Sequence, residues 1–162
     1  MKIYRIKKFQ LKDKKFIFNL YNQSIIEKNF YRDKIVNFIE HKKWLNINLK
    51  NKKIIIFILY QSKKKIGYSR FNKQVKGNYL ISIALKKAFR NKGLGSKLLG
   101  LSIDKFYKSN SGNLYAYIKN INTKSINAFK KNNFVKISKK EFFKKTKKKI
   151  ISRNFNFFQR VL

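Results

Sequence analysis

The chain has 162 residues, enough for a single domain over residues 1–162 with a buried core, and it contains no cysteine, which excludes disulfides and thiolate metal sites. Its N-terminus MKIYRIKKFQ lacks the apolar region of a signal peptide and no apolar stretch approaches a membrane span, so a cytoplasmic protein without a membrane partner is expected. The formal net charge of +36, from 42 basic and 6 acidic residues, excludes nothing but raises the question of a polyanionic partner.

KIYRI alternates as a short strand, and DKKFIFNLYNQ places Phe16, Ile17, Leu20 and Tyr21 at helical spacing. After an irregular polar stretch near residues 25–32, VNFIEHKKWLNINL predicts an amphipathic helix through Phe38, Leu45 and Leu49. KKIIIFILY is an unbroken apolar run suited to a strand covered on both faces, and KIGYSRF pairs back on it as a hairpin. Gly67 inside that second strand predicts a bulge or a close backbone approach. GNYLISIAL is a further strand, followed by a basic loop and a helix through Leu94, Leu98, Leu99, Ile103 and Phe106. LYAYI reads as a strand, NTKSINAFKKN as a helix capped by Asn122, FVKI as a strand, and the lysine-rich tail as a solvated face with a last strand near residues 154–161. The resulting order, β-α-α-β-β-β-α-β-α-β-β, is a mixed α/β fold rather than a doubly wound one.

The charge has a compositional explanation. Only six of the basic residues are arginine, the better fork for phosphates, while Lys, Asn, Ile, Phe and Tyr abound, Ala numbers four and Pro is absent. That is the pattern of A/T-rich codons, so no specific nucleic-acid partner is expected, only salt-sensitive attraction to polyanions. The rival expectation is a non-catalytic basic module that binds nucleic acid.

Two of the chain's six glycines, Gly93 and Gly95, stand one residue apart where strand gives way to helix. Glycines at a helix start let an anion approach unpaired N–H groups, with Arg90, Lys92 and Lys97 nearby; a tight turn with positive φ would also use them. The loop lacks the Gly-Lys-Ser/Thr ending of a P-loop and the third glycine of a dinucleotide-binding turn.

Arg90-Asn91-Lys92-Gly93-Leu94-Gly95 is R-x-x-G-x-G, Asn122-x-x-Ser125-x-x-x-Phe129-x-x-x-x-Phe134 follows N-x-x-S/A-x-x-x-Y-x-x-x-G-F, and IGYSRF precedes both at the expected strand. On these residues the chain resembles the GNAT superfamily of acetyl-CoA-dependent N-acetyltransferases. The resemblance implies a mostly antiparallel sheet flanked by helices, with the strands Tyr79–Leu85 and Asn113–Ile118 splayed around acetyl-CoA as co-substrate. It implies pantetheine against Ile83, Ala84 and Leu85, and a pyrophosphate over Arg90, Asn91, Lys92, Gly93, Leu94, Gly95 and Ser96. Asn122, Phe129 and Lys131 would touch the coenzyme from the second motif.

The family's usual thiolate acid is a tyrosine where Phe129 stands, which leaves Tyr115, Tyr117 or a water for that role; a glutamate common in relatives is replaced near Leu80. Asn133 stands for the motif glycine, acceptable because Asn tolerates left-handed backbone. Glu40-His41-Lys42-Lys43-Trp44-Leu45 resembles a segment of the branch that acetylates amines of sugar nucleotides, as in pseudaminic acid synthesis. That likeness implies a 4-amino sugar nucleotide as acceptor and makes Glu40, His41 and Tyr117 candidate catalytic groups, with His41 either a base or a substrate contact. Tyr31 and Trp44 would stack on a sugar or base, or pack in the core. Tyr68 and Arg70 would face the acceptor. A protein N-terminal amine of ribosomal-protein type is the alternative acceptor, a coenzyme-binding shell without turnover a further one. No metal is expected, and a homodimer is an open possibility.

Overall fold

Ile54–Tyr60 is apolar without interruption because both of its faces are covered: Ile56 and Ile58 pack on one side of a sheet, Phe57 and Leu59 on the other. The computed structural model describes residues 3–28, 34–152 and 154–161. Seven strands, β1 (Tyr4–Lys8), β2 (Ile54–Gln61), β3 (Lys64–Lys73), β4 (Tyr79–Leu85), β5 (Leu114–Lys119), β6 (Phe134–Ile137) and β7 (Phe155–Arg160), form one sheet in the order β1-β2-β3-β4-β5-β7-β6. All pairs are antiparallel except β4 with β5.

The helices α1 (Lys14–Ile26) and α2 (Phe38–Lys50) pack Ile17, Leu20 and Leu45 on one face, against Ile54, Ile56, Ile58 and Tyr68. On the other face, α3 (Leu94–Tyr107) and α4 (Thr123–Lys130) bury Leu98, Leu99, Ile103, Phe106 and Phe129. The tail adds α5 (Lys139–Thr146), absent from the predicted order, whose Phe142 covers Tyr115 and Phe157 beside the α1/α2 layer. Its start is a regular cap: the Ser138 hydroxyl accepts from the Glu141 amide at 3.1 Å.

Gly67 is both things its position predicts. A Cβ there would stand 2.5 Å from Leu85 Cδ2 and 2.6 Å from the Ala84 carbonyl oxygen, and the β2–β3 register slips between Leu59 and Tyr60, opposite it. Strand β3 can therefore lie close on the end of β4, which fixes where β4 points.

Strands β4 and β5 pair only at Tyr79–Leu114 and Leu80–Tyr115. Beyond them β5 continues along β7 while β4 stays with β3, so the sheet opens between the two.

Candidate active site

The Tyr79 amide donates to Asn113 and the Lys86 amide to Ile66, each at 2.9 Å. Successive peptides of a strand point to opposite sides in the sheet plane. Residues 79, 81, 83 and 85 therefore direct their amides and carbonyls toward β5, and residues 80, 82 and 84 toward β3. Past Leu80 no partner strand answers them, so Ile81, Ile83 and Leu85 present backbone groups to the opening. Ala84 does not: its peptide belongs to the β3 ladder and its methyl to the core under α1 and α2. The Leu85 carbonyl already accepts from Arg90 Nε at 2.9 Å.

The opening is a cavity of about 110 Å³ lined by Leu80, Ile81, Ser82, Ile83, Tyr117, Ile118, Asn122 and Phe129, with Ser24 of α1 above it. Phe129 is buried here, its ring centroid 4.9 Å from that of Phe134. Asn122 caps α4, accepting from the Ser125 amide at 3.1 Å. Lys131 is an exposed residue at the other end of that helix and does not line the cavity.

At the outer end of β4 the chain turns through Asn91 (φ +61°) and Gly93 (φ +69°) into α3. The amides of Leu94, Gly95 and Ser96 belong to the first turn, which has no intrahelical acceptors, and they carry the positive end of the helix dipole. A Cβ at Gly95 would project into the gap between α4 and β4, 3.8 Å from Ala128 Cβ and from Ile83 Cδ1. Lys92 and Asn91 are exposed beside this turn. Arg90 is not a free cation: besides Leu85 it pairs with the Glu27 carboxylate at the end of α1.

A second cavity, of about 470 Å³, adjoins the first. Arg70, Asn72, Leu80 and Tyr117 line both. Its far walls are Tyr21, Glu40, His41, Trp44 and Asn48 from the helices, with Lys53, Lys73, Gln74 and Lys148 around them. The Arg70 guanidinium lies over two rings, 5.1 Å from the Trp44 centroid and 5.9 Å from that of Tyr21, and its Nε is buried without a hydrogen-bond partner among the described residues. Trp44 is thus a half-exposed wall, not a core residue.

His41 is 3 % exposed, ringed by Phe18, Tyr21 and Trp44 at 5.5–5.8 Å, and neither ring nitrogen has a hydrogen-bond partner among the described residues. Burial, reinforced by Arg70, pulls its pKa down to about 4. The imidazole is neutral near pH 7, a state that suits a hydrogen-bonded contact with the acceptor. Glu40 is exposed at the cavity mouth on the first turn of α2.

Tyr68 corrects the expectation that it faces the acceptor. It is 1 % exposed among Ile58, Leu45 and Ala84, and burial pushes its phenol up to about 12. Tyr115 is likewise sealed, under Phe142, with its phenol raised by burial and by Glu141. Tyr31 lies outside the described residues. The sequence reading missed Tyr21, Asn72 and Lys148. Tyr21 looked like helix core and Lys148 like solvated tail, and only tertiary packing brings them together.

The model of the acetyltransferase (GNAT) family matches residues 17–134. Among solved structures, a ribosomal-protein-alanine N-acetyltransferase from Brucella melitensis aligns at TM-score 0.78 and 16% identity, over 98% of this chain and 99% of that one. A spermidine N-acetyltransferase from Vibrio cholerae, in complex with CoA and spermine, aligns at 0.76 and 17%, over 96% and 92%. The N-acetyltransferase PseH of Campylobacter jejuni aligns at 0.66 and 19%, over 96% of each chain. A search of curated proteins gives no match. With the splayed β4–β5 pair, the glycine turn onto α3 and a family match across most of its length, the chain belongs to the GNAT family of N-acetyltransferases, enzymes that transfer an acetyl group from acetyl-CoA to an amine.

Proposed function

We propose that the acceptor is a 4-amino sugar nucleotide, bound in the larger cavity. The observation that carries this reading is Arg70: a guanidinium seated on Trp44 and Tyr21, with Nε unanswered, suits a phosphate or diphosphate. Lys53, Lys73 and Lys148 add positive charge, Trp44 offers a ring face, and Asn48, Asn72 and Gln74 offer hydrogen bonds to hydroxyls. A polyamine, itself a polycation, would meet mostly like charge here.

The coenzyme supplies the activated acetyl group. The residues present fit it: backbone groups of Ile81, Ile83 and Leu85 suit an extended chain with amides, and the turn from Asn91 to Ser96 suits a diphosphate. Asn122, Phe129 and Lys131 would stay close to it from α4 by the family's pattern. Tyr117 stands where both cavities meet, and its hydroxyl replaces the missing one at Phe129 as donor to the leaving sulfur. His41 accepts a hydrogen bond from the acceptor, and Glu40 at the mouth attracts the incoming ammonium, which gives up its proton to solvent before attack. The amine forms the C–N bond as the C–S bond breaks, sulfur takes the Tyr117 proton, and the second amine proton restores the phenol.

Thiol release should be measured with a UDP-linked 4-amino-4,6-dideoxyhexose, spermidine and a peptide with an N-terminal alanine. The sugar nucleotide should be preferred, and Arg70→Gln should raise its KM by about tenfold, the scale of one charge-assisted hydrogen bond. Faster turnover of the peptide or of spermidine would contradict the assignment.

A further inference from the structure

Ser82 carries a hydroxyl the fold does not use. Its Oγ is buried and has no hydrogen-bond partner among the described residues. A buried donor without an acceptor is costly, and most native hydroxyls avoid it. Within α helices of this same molecule, Ser24 and Ser102 satisfy theirs on the carbonyls of Leu20 and Leu98. Ser82 lies in a strand, where no carbonyl one turn back is available.

The position is as telling as the orphaned atom. Ser82 lines the cleft two residues beyond Leu80, the last β4 residue paired with β5. It is directly opposite Arg70 in the β3–β4 register. Directly paired residues project to the same face, so its side chain rises on the side of Arg70, Trp44 and Tyr21, from which an acceptor approaches. Its neighbours Ile81 and Ile83 aim their peptides into the opening.

We propose that the Ser82 hydroxyl donates a hydrogen bond to the carbonyl oxygen of the acetyl thioester, and holds the negative charge that grows on that oxygen during transfer. This rests on acetyl-CoA occupying the β4–β5 opening. It gives the unpaired hydroxyl an acceptor that exists only when the coenzyme is bound. Serine keeps its proton throughout; the bond orients and stabilises without proton transfer.

Infrared difference spectra of carbonyl-labelled acetyl-CoA bound to the wild type, Ser82→Ala and Ser82→Thr read the contact without any acceptor. In the wild type and Ser82→Thr the carbonyl band should lie at lower wavenumber than in Ser82→Ala. The Ser82→Ala melting temperature should be unchanged or higher, because an unsatisfied hydroxyl is removed, while its kcat falls by about a hundredfold, as for loss of one oxyanion donor. A structural hydroxyl would instead lower the melting temperature. An identical band in wild type and Ser82→Ala, or a lower melting temperature in Ser82→Ala than in the wild type, would overturn the proposal. Failure of the wild type to bind acetyl-CoA would be a different failure, that of the coenzyme site itself.

Discussion

His41 is buried among aromatic rings with Arg70 close by, and its pKa of about 4 lies below the 6.5 of an ordinary histidine. The unfolded chain therefore binds a proton more readily than the folded one between those values, so stability rises with pH across that window and is lost as the pH falls. The melting temperature should decline from pH 6.5 toward 4, and His41→Phe should flatten the upper part of that decline; equal slopes would contradict the assignment. Among the described residues, Arg70 is the charge that acts on the ring, while Glu40, Lys53, Lys73 and Lys148 line the same cavity. At this scale the sequence was an uneven guide. Position 41 could be read as facing inward from Trp44 and Leu45, since all three share a helix face. The difference between Arg70 at an open wall and Tyr68 in the core could not, because both lie on one strand face and only the placement of α1 and α2 above them separates the two. Asn133 was legible to the backbone angle, with φ +64° where the family has glycine.

At the scale of elements, the contact between β3 and β4 sets the site. Gly67→Ala would drive a Cβ into the Ala84 carbonyl, a backbone atom that cannot step aside, as well as into the end of Leu85. A cost of about 1–3 kcal/mol is expected from such overpacking, read as a lower denaturation midpoint. Coenzyme affinity should weaken too, because Leu85 and Ala84 stand at the outer end of β4; an alanine variant as stable as the wild type would show that β3 does not hold that end. Glycine within a run of strand residues made this close approach predictable. The helix α5 was hidden because KKEFFKKTKKKI buries only Phe142 and Thr146 of its helical turns, so no apolar stripe stands out among lysines. Its one local sign was Ser138 with Glu141 three residues on, the start of a capped helix. The splay of β4 from β5 has no local signature in either strand. It follows from β5 choosing β7, a pairing across some forty residues, and entered the sequence reading only through the family motifs.

For the whole molecule, 42 cations face 6 carboxylates, and the described residues hold two ion pairs, Lys65–Asp13 and Arg90–Glu27. Each of the five helices exposes lysine, so the positive potential is spread over every side instead of concentrated in one stripe. Self-repulsion of such a surface is screened by salt. The melting temperature should rise as sodium chloride increases from low ionic strength to about 0.15 M. A fall over that range would mean that specific attractions outweigh the general repulsion. Two carboxylates secure particular places, Asp13 against Lys65 of β3 and Glu27 against Arg90 ahead of the turn into α3. Their scarcity makes these placements informative.

The central claim is that acetyl-CoA occupies the opening between β4 and β5 with its diphosphate on the turn into α3. Isothermal titration of acetyl-CoA at moderate salt, with wild type and Gly95→Ala, tests it most directly. An alanine at 95 meets its neighbours at ordinary contact distances, so the fold should be as stable or slightly more so, yet its methyl projects between Ala128 and Ile83, into the gap that leads to the cleft. Saturable wild-type binding that survives added salt, weakened severalfold in Gly95→Ala at unchanged melting temperature, is the predicted result. Binding that collapses with salt and is indifferent to the alanine would mean that the coenzyme is held by surface charge, and would contradict the account.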